Sequence, residues 1–434
     1  MSPDLLDLFL FMLVALHLLD GGRHLWRMKA SLRWLSEPDD PLCQKPTTNT
    51  LHLLIPVYDE AAVIKSCVEH FEKFAQYPGV QVHYITTEKE GKDGPTIAVL
   101  RELANCNSFT LRHYPQKDGT KADQLNWAIQ QILAEEHEGD DRQTYFGIYD
   151  VDSRPEPRAI ETVLYGAEGV YQQPSIYLEN YKRLGFFQKA GALLQTKWEL
   201  CRTVPVLYQN YHRYQQQQRI LSLPTCTGHG LFLRSDVIQQ NGLFEAKALT
   251  EDLELGYRLA FHKVPITLLK AVDFTDYAPT SLATVVQTSR WFSGEANLYH
   301  YYFSEAPKSL FLTLLVLKRY YLTFKWAFGA PLIFSVLMVL LLRYPIVGIV
   351  LIFLSVYLYV YEPFKMLYSF SHWSDYLGDK KKIFYVLVLL STVRHLFGTL
   401  GPFHYFLTAL INPIRGKQRT FVRTPKTSNT QVSS

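Results

Sequence analysis

Three side chains that could bind a charged sugar donor lie close together in the segment VVQTSRWFSGEAN, residues 285–297. Helix positions three or four apart share a face, so Gln287, Arg290 and Trp291 would point the same way. Arg290 could clamp a diphosphate, and Trp291 could stack on a sugar ring or wall the acceptor site. The alternative is an interfacial helix whose Arg and Trp anchor at lipid headgroups.

Two acidic pairs could supply the remaining chemistry. YDVDS places Asp150 and Asp152 at the end of an apolar strand, where two carboxylates can hold a divalent cation that neutralises a diphosphate. In LTEDLELGYRLAFHK, Glu251 and Asp252 begin an amphipathic helix, and Asp252 could act as the general base on an acceptor hydroxyl. Each pair also has a structural interpretation: an Asp-capped turn for the first, and acids favoured by the helix dipole for the second.

The elements that must position these residues indicate an α/β domain. LHLLIP, VQVHYITTE, FTLRHYP and TYFGIYDVD are typical of strands, and amphipathic helical segments such as KADQLNWAIQQILAEE lie between them. This alternation predicts a mostly parallel sheet, which binds ligands at the carboxyl ends of its strands. Five acids fall there: Asp59, Glu60, Glu88, Asp150 and Asp152. Like charges repel, so we expect a cation or sugar hydroxyls to meet them.

The distribution of apolar residues predicts a membrane protein with a soluble middle. The chain has 434 residues, of which 48% are hydrophobic, and the apolar ones crowd its two ends. The net charge of +4 is too small to indicate nucleic-acid binding. Five cysteines show no CxxC or metal-ligand spacing, and a cytosolic domain would keep them reduced.

Several apolar stretches are candidate membrane segments. Residues 5–19 predict an uncleaved anchor rather than a signal peptide, because only acids precede them and no small-residue cleavage site follows. Two spans are expected at 324–342 and 345–363, with 309–321 lying in the membrane interface. The stretch 381–414 is interpreted as a kinked pair of helices, or as a span with a re-entrant piece.

Basic residues set the expected orientation of the chain. They follow the first apolar segment at Arg23, Arg27, Lys29 and Arg33, and they follow the last one between Arg415 and Lys426. By the positive-inside rule, the middle domain and the C-terminus are cytoplasmic. The predicted organisation is an anchor at 1–35, a cytosolic domain at 48–300, interface and transmembrane helices at 301–415, and a disordered basic tail at 416–434.

Seven short motifs in one order give the chain a family resemblance. Together with an acid after the second strand, they are IPVYDE, TKADQLN, DVD, CTGHGLFLR, TED, QTSRW and FVRTPK. The set resembles membrane-bound, inverting family-2 glycosyltransferases of the cellulose, hyaluronan and chitin synthase type, closely over residues 50 to 300 and loosely in the membrane part. The resemblance implies a Rossmann-like, A-type glycosyltransferase domain joined to transmembrane helices.

On the donor side, the resemblance implies contacts to a nucleotide and a metal ion. The residues implied to line the base and ribose are Pro56, Tyr58, Asp59 and Glu60, with Glu88, Lys121 and Asp123 near the base or the donor. Asp150 and Asp152 would hold Mg2+ or Mn2+ on the diphosphate. Glu88 lacks the Asp-Asp-Gly-Ser context usual in the family, so the nucleotide preference stays open.

On the acceptor side, the resemblance implies that Asp252 is the base, with Glu251 beside it. Thr227, Gly228 and His229 would sit next to the acceptor, while Gln287, Arg290 and Trp291 would close over the diphosphate and the acceptor. The implied reaction moves a sugar from a UDP-sugar to a hydroxyl of a growing polysaccharide in one inverting displacement.

Two other functions compete with polysaccharide synthesis. Ceramide glucosyltransferases share the Arg-Trp pair and a compact membrane part, so a single transfer to a lipid is the alternative within enzymes; the membrane part is small beside that of the large synthases. A transporter or receptor with a cytosolic ligand-binding domain would show no turnover, and acids at several strand ends argue against it. The sequence leaves open a homo-oligomer or a separate export subunit.

Overall fold

The computed structural model describes residues 3–38, 49–135, 142–378 and 383–414. The four strands predicted from the sequence are present among ten in this part of the chain. The strands are β1 Thr50–Pro56, β2 Val80–Thr87, β3 Thr110–Tyr114, β4 Thr144–Ile148, β5 Arg154–Pro155, β6 Val170–Gln172, β7 Ser175–Ile176, β8 Leu231–Arg234, β9 Thr267–Leu268 and β10 Asp273–Phe274.

Long helices dominate both ends of the chain, and shorter ones flank the strands. The first and last groups are α1 Pro3–Ser36, and then α12 Leu310–Arg343, α13 Pro345–Val356, α14 Glu362–Ser369, α15 Ser374–Leu377, α16 Phe384–Phe397 and α17 Leu400–Ile414. Between them lie α2 Ile64–Ala75, α3 Pro95–Leu103, α4 Lys121–Glu135, α5 Pro157–Tyr165, α6 Phe186–Trp198, α7 Val204–Gln215, α8 Ser235–Asn241, α9 Glu251–Phe261, α10 Ser281–Ala296 and α11 Leu298–Glu305. Short 3-10 turns cover Tyr181–Arg183 and Ser371–Trp373, and π-helical turns cover Glu199–Thr203 and Tyr357–Tyr361.

The main sheet has seven strands in the order β3-β2-β1-β4-β8-β6-β9. Strands β3, β2, β1 and β4 are parallel, whereas β8 runs antiparallel to both β4 and β6. A second sheet has the order β5-β10-β7. The predicted α/β fold with a mostly parallel sheet is therefore confirmed.

The continuous apolar run in β1 reflects burial on both faces of the sheet. Leu53 packs in one hydrophobic cluster with residues of α2 and α5, while the next residue, Leu54, packs in another with residues of α4. Side chains alternate across a strand, so a strand covered on both faces needs apolar residues at odd and even positions. This packing fixes the strand whose carboxyl end carries Pro56.

Four helical segments among the described residues are long and apolar enough to cross a membrane. They are Asp4–Ser36, Leu310–Arg343, Pro345–Ser369 and Phe384–Ile411. Helices α1 and α12 run antiparallel: Asp7 accepts hydrogen bonds from Arg343 and Tyr344 at one end, and Asp20 pairs with Lys325 further along. The last segment breaks between α16 and α17, at Gly398 and Thr399, although it counts as one candidate span. Whether it forms a kinked pair or a span with a re-entrant piece stays a prediction.

Residues 309–321 do not form a helix of their own, and their expected position in the membrane interface stays a prediction. The helix α12 continues without interruption from Leu310 through the expected span. Lys318 and Arg319 lie within α12 and do not end the helix, because both have partners in the central domain. Arg319 pairs with Glu295, and Lys318 Nζ donates to the carbonyl of Leu221 at 2.7 Å.

Helix α1 ends at Ser36, and residue 300 lies within α11. The division into domains at residues 35 and 300 stays a prediction. The predicted tail at 416–434 lies outside the described residues.

Candidate active site

One cavity joins the carboxyl ends of the central strands to the space between the apolar helices. Its volume is about 1510 Å³. Most of the predicted site residues line it: Pro56, Tyr58, Glu60, Lys121, Asp150, Asp152, Thr227, Gly228, His229, Glu251, Asp252, Gln287, Arg290 and Trp291. Segments far apart in the sequence therefore meet at one place.

The Asp150–Asp152 pair follows β4 and has protein partners of its own. Lys121 Nζ donates to Asp150 Oδ1 at 2.6 Å and to the carbonyl oxygen of Gly228 at 2.8 Å. The Thr275 hydroxyl donates to Asp152 Oδ2 at 3.3 Å. Burial disfavours the charged Lys121, but the carboxylates of Asp150 and then Glu251 outweigh it and raise the Lys121 pKa. The lysine stays charged and compensates the acids.

This acid pair fits a divalent cation that binds together with a diphosphate. No group of three or more His, Cys, Asp or Glu side chains suited to a metal occurs among the described residues. Mg2+ needs fewer protein ligands than that, because it is commonly held by one or two carboxylates together with substrate phosphates and water. Asp150 and Asp152 both line the cavity and supply the oxygen ligands that hard cations prefer.

The Glu251–Asp252 pair begins α9 beside the lysine. A Cβ added at Gly228 would lie 3.1 Å from Asp252 Oδ2 and 3.3 Å from Lys121 Nζ, so the Gly228 backbone passes closely between these two groups. Burial, and next the charge of Asp252, raise the Glu251 pKa, while Lys121 and Arg290 oppose that rise. Lys121 therefore interacts with both acids, and Arg290 interacts with Glu251.

Helix α10 carries the Gln-Arg-Trp trio along the cavity and is held on two sides. At Gly294 a Cβ would lie only 1.9 Å from Thr250 Oγ1, so α10 touches the residue before α9. At Gly401, in α17, a Cβ would lie 2.2 Å from Thr288 Oγ1. The spacing predicted one helical face for Gln287, Arg290 and Trp291, and all three line the cavity.

The CTGHG segment lies against the edge of the sheet, in a polar network. The Gln172 amide donates to Thr227 Oγ1 at 2.7 Å and to the His229 carbonyl at 3.0 Å. His229 Nδ1 donates to the buried Asp273 Oδ2 at 2.6 Å. Burial opposes protonation of His229, but this bond and the charge of Asp273 outweigh it and raise the His229 pKa to about 9. His229 is therefore a fixed cation at neutral pH.

Three predicted site residues do not line the cavity. Glu88 accepts a hydrogen bond from His113 at 2.8 Å, which lowers the Glu88 pKa. Asp123 accepts from the backbone and hydroxyl of Thr120 in a capping box at the start of α4. Asp59 has a left-handed backbone, with φ 53°, in the turn after β1. Their nucleotide contacts stay predictions.

Sequence reasoning missed several residues that line the cavity. Glu199 is buried in the π-helical turn after α6 and accepts from the Ser175 backbone at 3.3 Å. Burial raises the Glu199 pKa to about 7. Lys89 lies with its Nζ 5.4 Å from the centre of the Tyr58 ring. A lone Glu in TKWELCR carries no motif, and only the turn that inserts an extra residue into the helix marks it.

Comparisons with known proteins agree with this geometry. Residues 48–294, more than half of the chain, match the model of the family described as glycosyltransferase like family 2. The chain belongs to this family and is a glycosyltransferase. No curated protein sequence matches it significantly.

A solved structure extends the similarity of fold to the apolar helices. The mannosyltransferase PcManGT from Pyrobaculum calidifontis, in complex with GDP-Man and Mn2+, matches with a TM-score of 0.53 and 14% identity. The match covers 90% of this chain and 99% of that one. The resemblance to the cellulose, hyaluronan and chitin synthase type stays a prediction.

Proposed function

We propose that this protein is an inverting, metal-dependent glycosyltransferase that moves a sugar from a nucleotide-sugar to an acceptor hydroxyl at the membrane. One observation carries the proposal: Asp252, the Lys121–Asp150 pair and the Gln287–Trp291 face of α10 line one cavity that extends between the apolar helices. Such convergence of acids, cations and an aromatic wall is typical of a catalytic site.

Asp252 is the proposed general base. Its carboxylate would take the proton of the acceptor hydroxyl as that oxygen attacks the anomeric carbon from the face opposite the nucleotide. The new bond joins the acceptor oxygen to the anomeric carbon, and the bond from that carbon to the diphosphate oxygen breaks. A single displacement inverts the configuration and needs no second carboxylate as nucleophile.

The departing nucleoside diphosphate carries the developing negative charge. We assign its stabilisation to Arg290 and Lys121, fixed cations that both act on Glu251 at the start of α9. Mg2+ or Mn2+ held by Asp150 and Asp152 would neutralise further charge on the diphosphate. Trp291 is assigned to the sugar ring or the acceptor wall.

The donor is proposed to be a UDP-sugar, from the resemblance to the polysaccharide synthases. The structural neighbour was solved with GDP-Man, so a GDP-sugar is the direct competitor. The acceptor is proposed to be a growing glycan. Transfer to a lipid is the second candidate, favoured by the apolar residues of α12, such as Phe328 and Leu332, that line the same cavity.

The proposal includes a topology. The central domain and the C-terminus are placed on the cytoplasmic side of the cell or inner membrane, where nucleotide-sugars are available, and several helices cross the bilayer. Asp20, Lys325 and Arg394 lie within helices long enough to span, and polar groups at such positions are expected to face a protein interior.

Nucleotide release by the purified protein tests the function. Protein in detergent is supplied with Mg2+ or Mn2+ and a panel of UDP- and GDP-sugars, with Asp252→Asn as the control, and the products are sized. Release with one donor and a long product supports a polysaccharide synthase. A short or lipid-bound product supports the second candidate, and release that is equal in Asp252→Asn removes the base assignment.

A further inference from the structure

Several cations line the membrane side of the cavity, away from the strand ends, including Lys197 and Lys325. Four more lie on α1 or on elements near it. Arg23 and Arg27 belong to α1, Arg202 to the π-helical turn after α6, and Lys318 to α12. We call these four residues the cation cluster. Their charges act on one another: Arg23 and Arg202 both repel the charge of Arg27, and Arg23 and Arg27 both repel that of Lys318. Four like charges thus share one region of the wall.

No member of the cation cluster forms an ion pair within the described residues, although Lys318 donates to Leu221 and Ser222 and Arg202 lies over the Trp198 ring. Over residues 3–38, 49–135, 142–378 and 383–414, no hydrogen bond or ion pair to Arg23 or Arg27 is found, and the buried Nε of Arg202 has no hydrogen-bond partner. Asp20 is the nearby acid, but it already accepts from Lys325 Nζ at 2.6 Å and from the Tyr359 hydroxyl at 3.0 Å. Arg27 and Arg202 are partly buried, whereas Arg23 and Lys318 are exposed. Burying a cation without an anionic partner costs free energy, and an anionic ligand bound at the cluster would reduce that cost.

The helices that bear the cluster become apolar further along the same cavity. The face of α1 that lines the cavity contains Leu13, Leu16, Asp20, Arg23 and Arg27, at helical spacing. Leu13 and Arg27 are fourteen residues apart, or about 21 Å along a helix. The wall therefore changes from apolar to cationic over the length of a lipid chain.

The antiparallel helix α12 repeats this order. Lys318 lies near the central domain, while Phe328, Leu332 and Leu337 line the cavity deeper in the apolar part. Two facing helices with the same gradient suit an amphiphile whose anionic head lies at the cation cluster and whose hydrocarbon chain lies between the helices. An inorganic anion alone would leave the apolar half of the wall without a partner.

The cation cluster is connected to the proposed base by direct packing. Lys318 Nζ donates to Ser222 Oγ at 2.9 Å. The next residue, Leu223, packs in one hydrophobic cluster with Leu253, which follows Asp252. A head bound at the cluster would thus present what it carries towards Asp252. The donor diphosphate is assigned elsewhere, to Arg290 and the strand end.

We propose that the cation cluster binds the phosphate or diphosphate headgroup of a membrane lipid, and that this lipid carries the acceptor hydroxyl. The acceptor role rests on the proposed function, whereas the binding of the headgroup does not. General attraction of basic residues to anionic membranes is the competing explanation. It treats all basic residues after the first apolar segment alike, including Arg33, which does not line the cavity.

Binding of farnesyl diphosphate tests the headgroup site without turnover. Full-length protein in neutral detergent, with EDTA to remove divalent metals, is titrated with farnesyl diphosphate, inorganic pyrophosphate and farnesol. Wild type should bind farnesyl diphosphate at least about tenfold more tightly than either fragment. The variant Arg27→Gln/Arg202→Gln should lose about tenfold or more in affinity, because two charge-assisted contacts are removed.

Matched variants guard against misfolding and against non-specific attraction. Arg33→Gln removes one charge from the same helix outside the cavity and should leave the affinity unchanged. Lys318→Gln alters an exposed side chain of the cluster and should also weaken binding, so the site can be tested even where the double variant unfolds. Equal affinity in wild type, Lys318→Gln and the double variant would overturn the proposal, as would an equal loss in Arg33→Gln.

Two further comparisons are needed. One distinguishes a lipid headgroup from a free anion, and the other distinguishes the headgroup site from the proposed function. Pyrophosphate that binds as tightly as farnesyl diphosphate, or complete displacement of farnesyl diphosphate by UDP, would mean an anion site without a lipid and would overturn the lipid proposal. Cluster-dependent lipid binding in a protein that turns over no donor would refute the proposed function and keep the headgroup site. Turnover of a donor without cluster-dependent lipid binding would support the proposed function and overturn the headgroup site.

Discussion

The two ends of the cavity treat charge in opposite ways. At the strand ends, the acids have protein partners: Lys121 compensates the charge of Asp150, and the Thr275 hydroxyl donates to Asp152. At the membrane end, Arg23 and Arg27 have no bonded counterpart in the part of the chain that the structure describes. The first end is organised before any ligand arrives, as a catalytic site must be. The second is completed only by its ligand.

Removing the proposed base at the compensated end should have the largest effect. We expect Asp252→Asn to lower kcat by about 10²–10⁴-fold, because the amide cannot accept the proton of the acceptor hydroxyl. Donor binding should persist, since Asn has the same shape. Turnover and donor affinity are measured on the same preparation. Turnover retained by Asp252→Asn would show that Asp252 is not the base, and that the compensated end of the cavity does not carry out the proton transfer.

Loss of one carboxylate of the acid pair should come next. Asp152→Ala should lower kcat/KM by about a hundredfold and weaken donor binding only when Mg2+ or Mn2+ is present. Donor titrations with metal and with EDTA check this. Glu135→Ala is the control, because Glu135 pairs with Arg112 and does not line the cavity. The same metal dependence in Asp152→Ala and wild type would place the ion elsewhere.

Truncation of the aromatic wall should have a smaller effect. Trp291→Ala should lower kcat/KM about tenfold through the lost contact with a sugar ring, with little change in melting temperature. Trp127→Ala is the matched control, since Trp127 is partly buried like Trp291 but does not line the cavity. A fall in melting temperature that accounts for the lost activity would favour the interfacial-anchor alternative.

The last prediction concerns stability and its dependence on pH, with the smallest expected effect on catalysis. Burial raises the Glu199 pKa from 4.5 to about 7, so this group favours the folded state below pH 4.5, and the advantage is lost as the pH rises through 7. Glu199→Gln removes the buried charge. Its free energy of unfolding should therefore exceed that of wild type by up to about 3 kcal/mol at pH 8. The free energies of unfolding of wild type and Glu199→Gln are compared at pH 5 and at pH 8. An equal difference at both pH values would contradict the buried charge.

Most of the fold was predictable because its signals are local and redundant. The four parallel strands were found from short apolar runs, and α9 from Glu251, Asp252 and the apolar periodicity after them. The strand β8 was not predicted, because LFLR is short and pairs with distant partners, antiparallel to β4. The continuity of α12 was missed because Lys318 and Arg319 look like an interface, and their partners lie far away in the sequence.

The site was predictable where residue type carries the chemistry. Asp150, Asp252 and Arg290 belong to recognisable motifs, and all three line the cavity. Asp273 and Glu199 belong to none, because their importance comes from burial and from partners such as His229. The cation cluster is the intermediate case. In the sequence, Arg23 and Arg27 indicate only the orientation of the chain in the membrane. Arg27 differs from Arg33 because it lines the cavity, which the structure alone shows.

The double attachment of α10 has a consequence for the lipid environment of the enzyme. One side of this helix meets Thr250 through Gly294, and the other meets α17, where His404 Nδ1 lies 3.0 Å from Ser289 Oγ. The helix that presents Trp291 thus connects the glycosyltransferase domain to α17, which belongs to a candidate membrane span. Acyl chain length changes the tilt of such spans. In nanodiscs of graded thickness, the turnover rate should therefore pass through an optimum.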